Sequence, residues 1–533
     1  MAKKLTAILL AMSLLFTAFC VPATAEDEYS DFEKGFYKVV DGLLDALVGG
    51  IANLIVEPRH WISDDEYVSE NFYEGTSEFL DAPAADAQWS LGYANASIQT
   101  GNELDGEHNV GGSLAIGDKF ATKIYDDQKV RTVAISDGRG ISIFACIDSY
   151  GLSLPDVRGI RAQFAEDARA KGLEITSINI STLHQHSCVD TFGLNGNLIE
   201  ALFTACIKNL FGIKMPSGQN EAFMENLYNV TVDSMFDAID DMKTGSLYFG
   251  TADITEFIRD KRDPQVFDPN LNRFRFVPDD GTAETWMLNS PIHCVGLGAG
   301  GTEVSGDYPY YMEQYINETA GANVFYFLGA ELAVSSQYDA VKDIPRDPAI
   351  VEKYGMDIAD LVVFGSELGK KACSITNDTE IAPILNIRLT EIQVPVSNSI
   401  LKLAARGGLL LNQLVKTGFG NYNVVSEVGY IELGTEHAIA LIPGELAPEI
   451  AFGGVDAAED TWTGEEWEYD TFVDMTGGKK LIVYGLANDQ IGYLLPDNEW
   501  HSYLTENEEI VSTGPMAGLI VTEAFEKLVD STK

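Results

Sequence analysis

The chain has 533 residues, of which 35 are Lys or Arg and 81 are Asp or Glu, for a formal net charge of −46. A field of that sign repels phosphate backbones and anionic membrane surfaces, which excludes nucleic-acid binding as a function class. With 46% hydrophobic and 10% aromatic residues the chain lies well outside the disordered range and can bury a large core.

The chain opens with Lys3 and Lys4, an apolar run from Leu5 to Val21, and Ala23-Thr24-Ala25. This is the pattern of a secretory signal peptide cut after Ala25. Cleavage removes two lysines and moves the charge from −46 to −48. Phe19 is too bulky for the small residue that precedes a lipidated cysteine, so Cys20 is not read as an anchor. No later segment reaches the roughly 18 consecutive apolar residues of a membrane span. The expectation is a soluble exported protein, secreted or held in the cell envelope. Five cysteines remain, Cys146, Cys188, Cys206, Cys294 and Cys373; an odd, scattered set argues against a disulfide framework and is compatible with one or two bridges.

Residues 26–60 hold a predicted amphipathic helix, with Phe32, Phe36, Val39, Val40, Leu43, Leu44, Leu47, Val48, Ile51, Leu54 and Ile55 at helical spacing and an end near Pro58. Its polar face is acidic, which favours packing on the main body over lipid contact. Strands are predicted at 130–135 and 141–147, joined through the hairpin signal Ser136-Asp137-Gly138-Arg139-Gly140. A helix over 157–171 leads to a strand over 175–182, and two helices follow at 198–211 and 221–242. Further strands are expected at 246–249, 286–295, 322–328, 430–433, 438–442 and 480–484. No repeat, low-complexity tract or linker interrupts the chain beyond about residue 75, so residues 61–533 read as one α/β domain, a mixed sheet flanked by helices.

Two of the seven histidines stand two residues apart in Leu183-His184-Gln185-His186-Ser187, just past the strand over 175–182. In extended backbone alternate side chains share a face, so both imidazoles can look into one cavity. Alone, His-x-His is as often a packing accident as a metal site. Three other segments repeat the situation of a strand running into a potential ligand: Pro291-Ile292-His293-Cys294, Ile442-Pro443-Gly444-Glu445, and Tyr484-Gly485-Leu486-Ala487-Asn488 ahead of Tyr493. Should these strands share a sheet, their ends converge on one edge, where α/β proteins place functional loops. Each residue also has a plain reading: His293 as a core histidine, Glu445 as a carboxylate at a helix start, and Tyr493 as packing.

In this order the segments resemble the catalytic domain of the neutral, non-lysosomal ceramidase family. That family's zinc site draws on a Thr-His-Thr-His-Ser-Gly segment, a second His ahead of Ser-Gly-Asp, a Pro-Gly-Glu turn and a Tyr after Gly-Leu-x-Asn. Here these correspond to His184 in its segment, His293 ahead of Ser305-Gly306-Asp307, Pro443-Gly444-Glu445, and Gly485-Leu486-Ala487-Asn488 followed by Tyr493, over about residues 88–525. The resemblance implies Zn²⁺ held by His184, His293, Glu445 and Tyr493, with His186 beside it to move a proton. It also implies a substrate in which the N-acyl amide of a ceramide-like lipid is hydrolysed, reached by transient contact with a membrane surface.

The family's Gly-Asp-Val-Ser-Pro-Asn serine corresponds to Ser335, with Leu332-Ala333 before it and Ser336-Gln337 after it. Tyr503 resembles a second family tyrosine that donates to the oxyanion. The match runs almost to Lys533 and leaves no room for the small β-sandwich that follows this domain in better-known members. The catalytic residues implied are therefore His186, Ser335 and Tyr503. Two further readings stand beside this one: a relative that binds a lipid or envelope component without turnover, and a zinc hydrolase acting on another ester or amide. Oligomeric state is left open.

Overall fold

The computed structural model describes residues 30–52, 61–112, 116–193, 217–418, 420–503 and 509–532, with a few isolated positions between them. Residues 1–25, read above as a signal peptide, and most of the helix expected over 198–211 lie outside the described residues. Among the described residues no helix is long and apolar enough to cross a membrane, and Cys146, Cys188, Cys294 and Cys373 are free thiols.

Two sheets form the core. The larger has nine strands: β1 (Trp89–Ser97), β2 (Lys129–Ser136), β3 (Ile141–Ile147), β4 (Ile175–Thr182), β5 (Lys243–Asp253), β6 (Asn270–Pro278), β7 (Thr285–Ser290), β8 (Asn323–Leu328) and β9 (Thr379–Ile381). Their order is β8-β7-β6-β5-β1-β2-β3-β4, with β9 on β5. The second sheet has five: β10 (Leu385–Pro395), β11 (Leu414–Gly418), β12 (Asn421–Leu433), β13 (His437–Leu441) and β14 (Lys480–Tyr484), in the order β10-β12-β13-β14 with β11 on β12. Three neighbouring pairs are parallel, β3 with β4, β7 with β8, and β13 with β14; the other pairs are antiparallel.

The large sheet curls back on itself. Tyr93 Oη of β1 donates to Val324 O of β8 at 3.0 Å, although four strand steps separate the two along the sheet. β14 lies at the gap between the sheet's ends. Ser181 Oγ of β4 donates to Tyr484 Oη at 2.8 Å, Asn289 Nδ2 of β7 donates to Val483 O at 3.1 Å, and the Tyr484 ring packs on Phe327 with centroids 4.2 Å apart. The four candidate ligands therefore follow strands of two sheets: His184 follows β4 and His293 follows β7 of one, while Glu445 follows β13 and Tyr493 follows β14 of the other. The four segments do not share one sheet. The ends still converge, because β14 joins the curled sheet's open side.

Helices cover the outer faces. α1 (Asp31–Ala52) precedes the sheets; α2 (Leu154–Ala170) and α3 (Glu221–Asp240) pack Val157, Ile160, Phe164, Phe223, Leu227 and Met235 on Ile143, Ala145, Ile178 and Ile180. α2 starts where it does because Ser153 and Asp156 form a reciprocal capping box, with Pro155 in the first turn. α4 (Asp307–Ala320) and α5 (Met356–Cys373) cover the β7–β8 side. α6 (Ser399–Gly407) and α7 (Met516–Asp530) serve the second sheet, where α7 lays Val521, Phe525 and Leu528 on Val428 and Tyr430. The expected packing of α1 holds for one edge: Val48 and Ala52 bury against Leu403 of α6. Phe32, Phe36, Val39, Leu43 and Leu47 stay between 42% and 82% exposed.

Arg158 and Arg161 of α2 tie the first half of the chain to Glu427 of the second sheet. Arg161 of α2, fully buried, forms two 2.9 Å hydrogen bonds to the two oxygens of Glu427 on β12, and its Nε donates to Ile178 O at 3.0 Å. Removing one partner strands the other charge in the core. Glu427→Ala is expected to lower unfolding stability by about 3–5 kcal/mol in urea denaturation. Lys527→Ala on the exposed face of α7 is expected to stay within about 0.5 kcal/mol of the parent.

Candidate metal centre

The three parallel strand pairs of the two main sheets deliver residues to one place. Asp148 and Tyr150 follow β3, His184 and His186 follow β4, His293 follows β7, Glu331 follows β8, Glu445 follows β13, and Gln490 follows β14. The loops that carry them are held in unusual backbone. His184, Asp307, Ala333, Leu486 and Asn488 all have positive φ, at 48°, 56°, 62°, 48° and 67°. Such conformations cost on the order of 1–3 kcal/mol each and persist only where the surroundings over-determine them. The surroundings are visible. Asp307 Oδ2 accepts Gly296 N–H at 2.8 Å behind His293, His186 N–H donates to Cys294 O at 3.1 Å, and Gln185 Nε2 donates to Gly306 O at 2.7 Å. Gly112, at φ 92°, approaches so closely that a Cβ there would stand 2.3 Å from His186 Cα.

His184, His186 and His293 form a single group whose donor atoms all lie within 4.8 Å of one another. His186 Nε2 is 2.9 Å from His293 Nε2, and the ring centroids of His184 and His293 are 4.7 Å apart. His184 Nδ1 lies 2.8 Å from Tyr150 O. A carbonyl only accepts, so Nδ1 carries the proton and the Nε2 lone pair is left for a ligand. That Nε2 is 3.3 Å from Glu445 Oε1, which accepts from Gln490 Nε2 at 3.0 Å. The Tyr150 ring lies against His184, with centroids 4.3 Å apart.

Burial dominates the electrostatics. It holds His184 and His293 well below the usual histidine range, reinforced by their imidazole neighbours, and lowers His186 to about 4. All three rings are thus neutral at pH 7, the form that binds a metal. Burial, with the Glu445 charge added, pushes the Glu331 carboxyl far above the usual carboxylate range. Three neutral imidazoles beside a carboxylate, sequestered from water, are a donor set that suits Zn²⁺. The residues present therefore fit the ion.

The other predicted residues are placed as follows. Glu445 and Tyr493 are register partners in a short parallel bridge, and Tyr493 is buried among Leu332, Ala447 and Leu495. Ser335 bridges the backbone of His293, and its hydroxyl donates to Arg259 O at 3.3 Å. Tyr503 lies beside Asp45 of α1, which takes its hydroxyl; burial and the charges of Asp45 and Asp41 push that phenol up. Sequence reading missed Tyr150, Gln490 and Glu331. Tyr150 acts through its backbone and leaves no side-chain signal. Glu331 had one, a lone acid in the apolar run from Phe325 to Val334.

Solved structures with this architecture exist. A crystal structure of neutral ceramidase from Pseudomonas aeruginosa superposes with a TM-score of 0.60 at 14% identity, covering 84% of this chain and 74% of that one. A structure described as ceramidase complexed with C2 gives 0.58 at 13% identity, covering 83% and 75%. The fold is ceramidase-like. No family model matches the chain, and no curated protein matches it by sequence. The ceramidase-like fold with an imidazole cluster at its strand ends is thus carried by structure and not by sequence identity.

The depressed His186 pKa fixes a sign. In metal-free protein the unfolded chain takes up this proton from about pH 6.5 downward, whereas the folded chain resists until about pH 4. The stability held by the neutral ring is therefore complete above 6.5 and is lost as pH falls to 4, at about 1.4 kcal/mol per pH unit. His186→Asn is expected to escape that loss. Its stability relative to the parent rises by about 3 kcal/mol between pH 7 and pH 4, measured by urea denaturation in the presence of chelator.

Proposed function

We propose that this protein is an exported zinc-dependent hydrolase that cleaves the N-acyl amide of a ceramide-like lipid. The observation that carries this reading is the group of His184, His186 and His293, with Glu445 beside it, at the ends of three parallel strand pairs in a ceramidase-like fold. His184, His293, Glu445 and Tyr493 would hold the zinc. When bound, the ion lowers the pKa of water to about 7 and polarises the scissile carbonyl.

The chain's own residues supply the rest. Tyr150 O fixes the His184 tautomer, and Gln490 holds the Glu445 carboxylate in place. An amide leaves only when its nitrogen gains a proton, and His186, which touches His293 at 2.9 Å, is placed to carry it. Burial of the group excludes competing water and strengthens each interaction within it. Ser335 has its hydroxyl turned to Arg259 O, which supports water over the serine as the attacking group. That same engagement supports a second reading, a protein that keeps metal and lipid binding and has lost turnover. Export rests on the leader pattern of residues 1–25.

Purified protein is expected to hold about one zinc per chain by elemental analysis, and His184→Ala/His293→Ala to lose both the zinc and cleavage of a labelled short-chain ceramide. A panel of N-acyl amino acids and esters read by mass spectrometry identifies the bond. Zinc-free protein after purification without chelator would sink the metal reading, whereas zinc-loaded protein that leaves the whole panel intact favours the binding reading. His186→Ala is expected to retain zinc and to lose about 10²- to 10⁴-fold in turnover.

A further inference from the structure

Glu331 lies outside every motif that pointed to the site. It stands on the turn after β8, pinned between the two sheets: Gly329 N–H donates to Ser290 O at 2.9 Å, Leu332 N–H donates to Leu446 O at 3.3 Å, and Val334 N–H donates back to Glu331 O at 2.8 Å. Its side chain is fully buried, at 0% exposure, and neither carboxylate oxygen accepts a hydrogen bond. The nearest basic nitrogen is His293 Nδ1, 4.0 Å from Oε2, which is beyond hydrogen-bond reach.

Other buried acids of the fold are matched. Glu427 has Arg161 and Arg158, Asp148 and Glu313 share Arg131, and Glu449 takes Arg262. Leaving a carboxylate in the core without a donor or a cation is among the costliest arrangements a side chain can adopt. Alanine or glutamine would avoid that cost in the metal-free chain. A glutamate on this turn is accounted for if a cation meets it there.

We propose that Glu331 is a second carboxylate of the metal site, which with Glu445 balances the charge of a divalent cation held beside His184 and His293. This rests on the metal reading above and adds a residue to it. The two carboxylates together match the charge of a divalent ion in a buried site, and the neutral rings beside them add none. The proximity of Glu331 to His293 Nδ1 also lets it orient that ring once the cation is present, so it is a positioning residue and not a group that touches substrate.

The test is a zinc titration of chelator-stripped full chain, in competition with a chromophoric chelator, for the parent, Glu331→Gln and Glu331→Asp, with urea denaturation of each metal-free form. Glu331→Gln keeps the shape and removes the charge. It is expected to bind zinc about 10- to 100-fold more weakly and to be more stable than the parent when metal-free, with Glu331→Asp recovering part of the affinity. Parent-like zinc affinity in Glu331→Gln overturns the proposal and leaves the metal centre standing. A metal-free Glu331→Gln that is less stable than the parent, or fails to fold, overturns it too, since Glu331 is then structural. A parent that binds no zinc removes the metal centre itself.

Discussion

Asn488 lashes the edge of the curled sheet to the loop after β14, beside the site. Asn488 donates its backbone N–H to Ile180 O at 2.7 Å and accepts Ile180 N–H on its Oδ1 at 3.0 Å. β4 is the last strand of the curled sheet, so its outer backbone groups need partners, and buried ones left unmet would cost heavily. The loop after β14 meets that need, and Asn is the non-glycine residue best suited to the required φ of 67°. The hydrogen bonds of Ser181 to Tyr484 and of Asn289 to Val483 act in the same place. Together they set β4 against the second sheet, which places His184, two residues past the strand, within 3.3 Å of a glutamate more than 250 positions away.

The second constraint is electrostatic. The site is largely buried, and burial acts in opposite senses on its two kinds of group. Imidazoles are driven to their neutral, metal-binding form, and the Glu331 carboxyl is held far above the usual carboxylate range. Elsewhere the fold meets buried acids with arginine, as at Glu427 and Asp148, or with backbone and side-chain donors, as at Asp307 and Asp489. The contrast sets Glu331 apart from those acids without appeal to any motif.

Much of the fold was legible because the parallel strands are buried on both faces. Runs such as Ile141–Ile147 and Lys480–Tyr484 are nearly continuous apolar stretches, and the strands match them to the residue. Strands with buried polar residues were not legible. β6 places Asn272 and Arg273 in the core, where Asn272 Nδ2 donates to Asp268 and Arg273 reaches Ala372 O and Asp378; in sequence such residues read as solvent-facing. β1 contains Gly92, which reads as a breaker, yet the end of α3 packs so close that a Cβ would fall 2.0 Å from Ala238 O.

The sequence by itself determined which residue types stand at strand ends, because strand periodicity and the His-x-His and Pro-Gly-Glu spacings are local properties of the chain. It pointed to His184, His186, His293 and Glu445 without any knowledge of their separation. Only the tertiary structure decided that they come from two sheets, that His186 sits as close to His293 as any group in the cluster, and that Glu331 lies beside them. Those outcomes depend on how far a nine-stranded sheet curls and on what closes its open edge. Curl and closure are set by contacts between residues distant in sequence, and no local pattern records them.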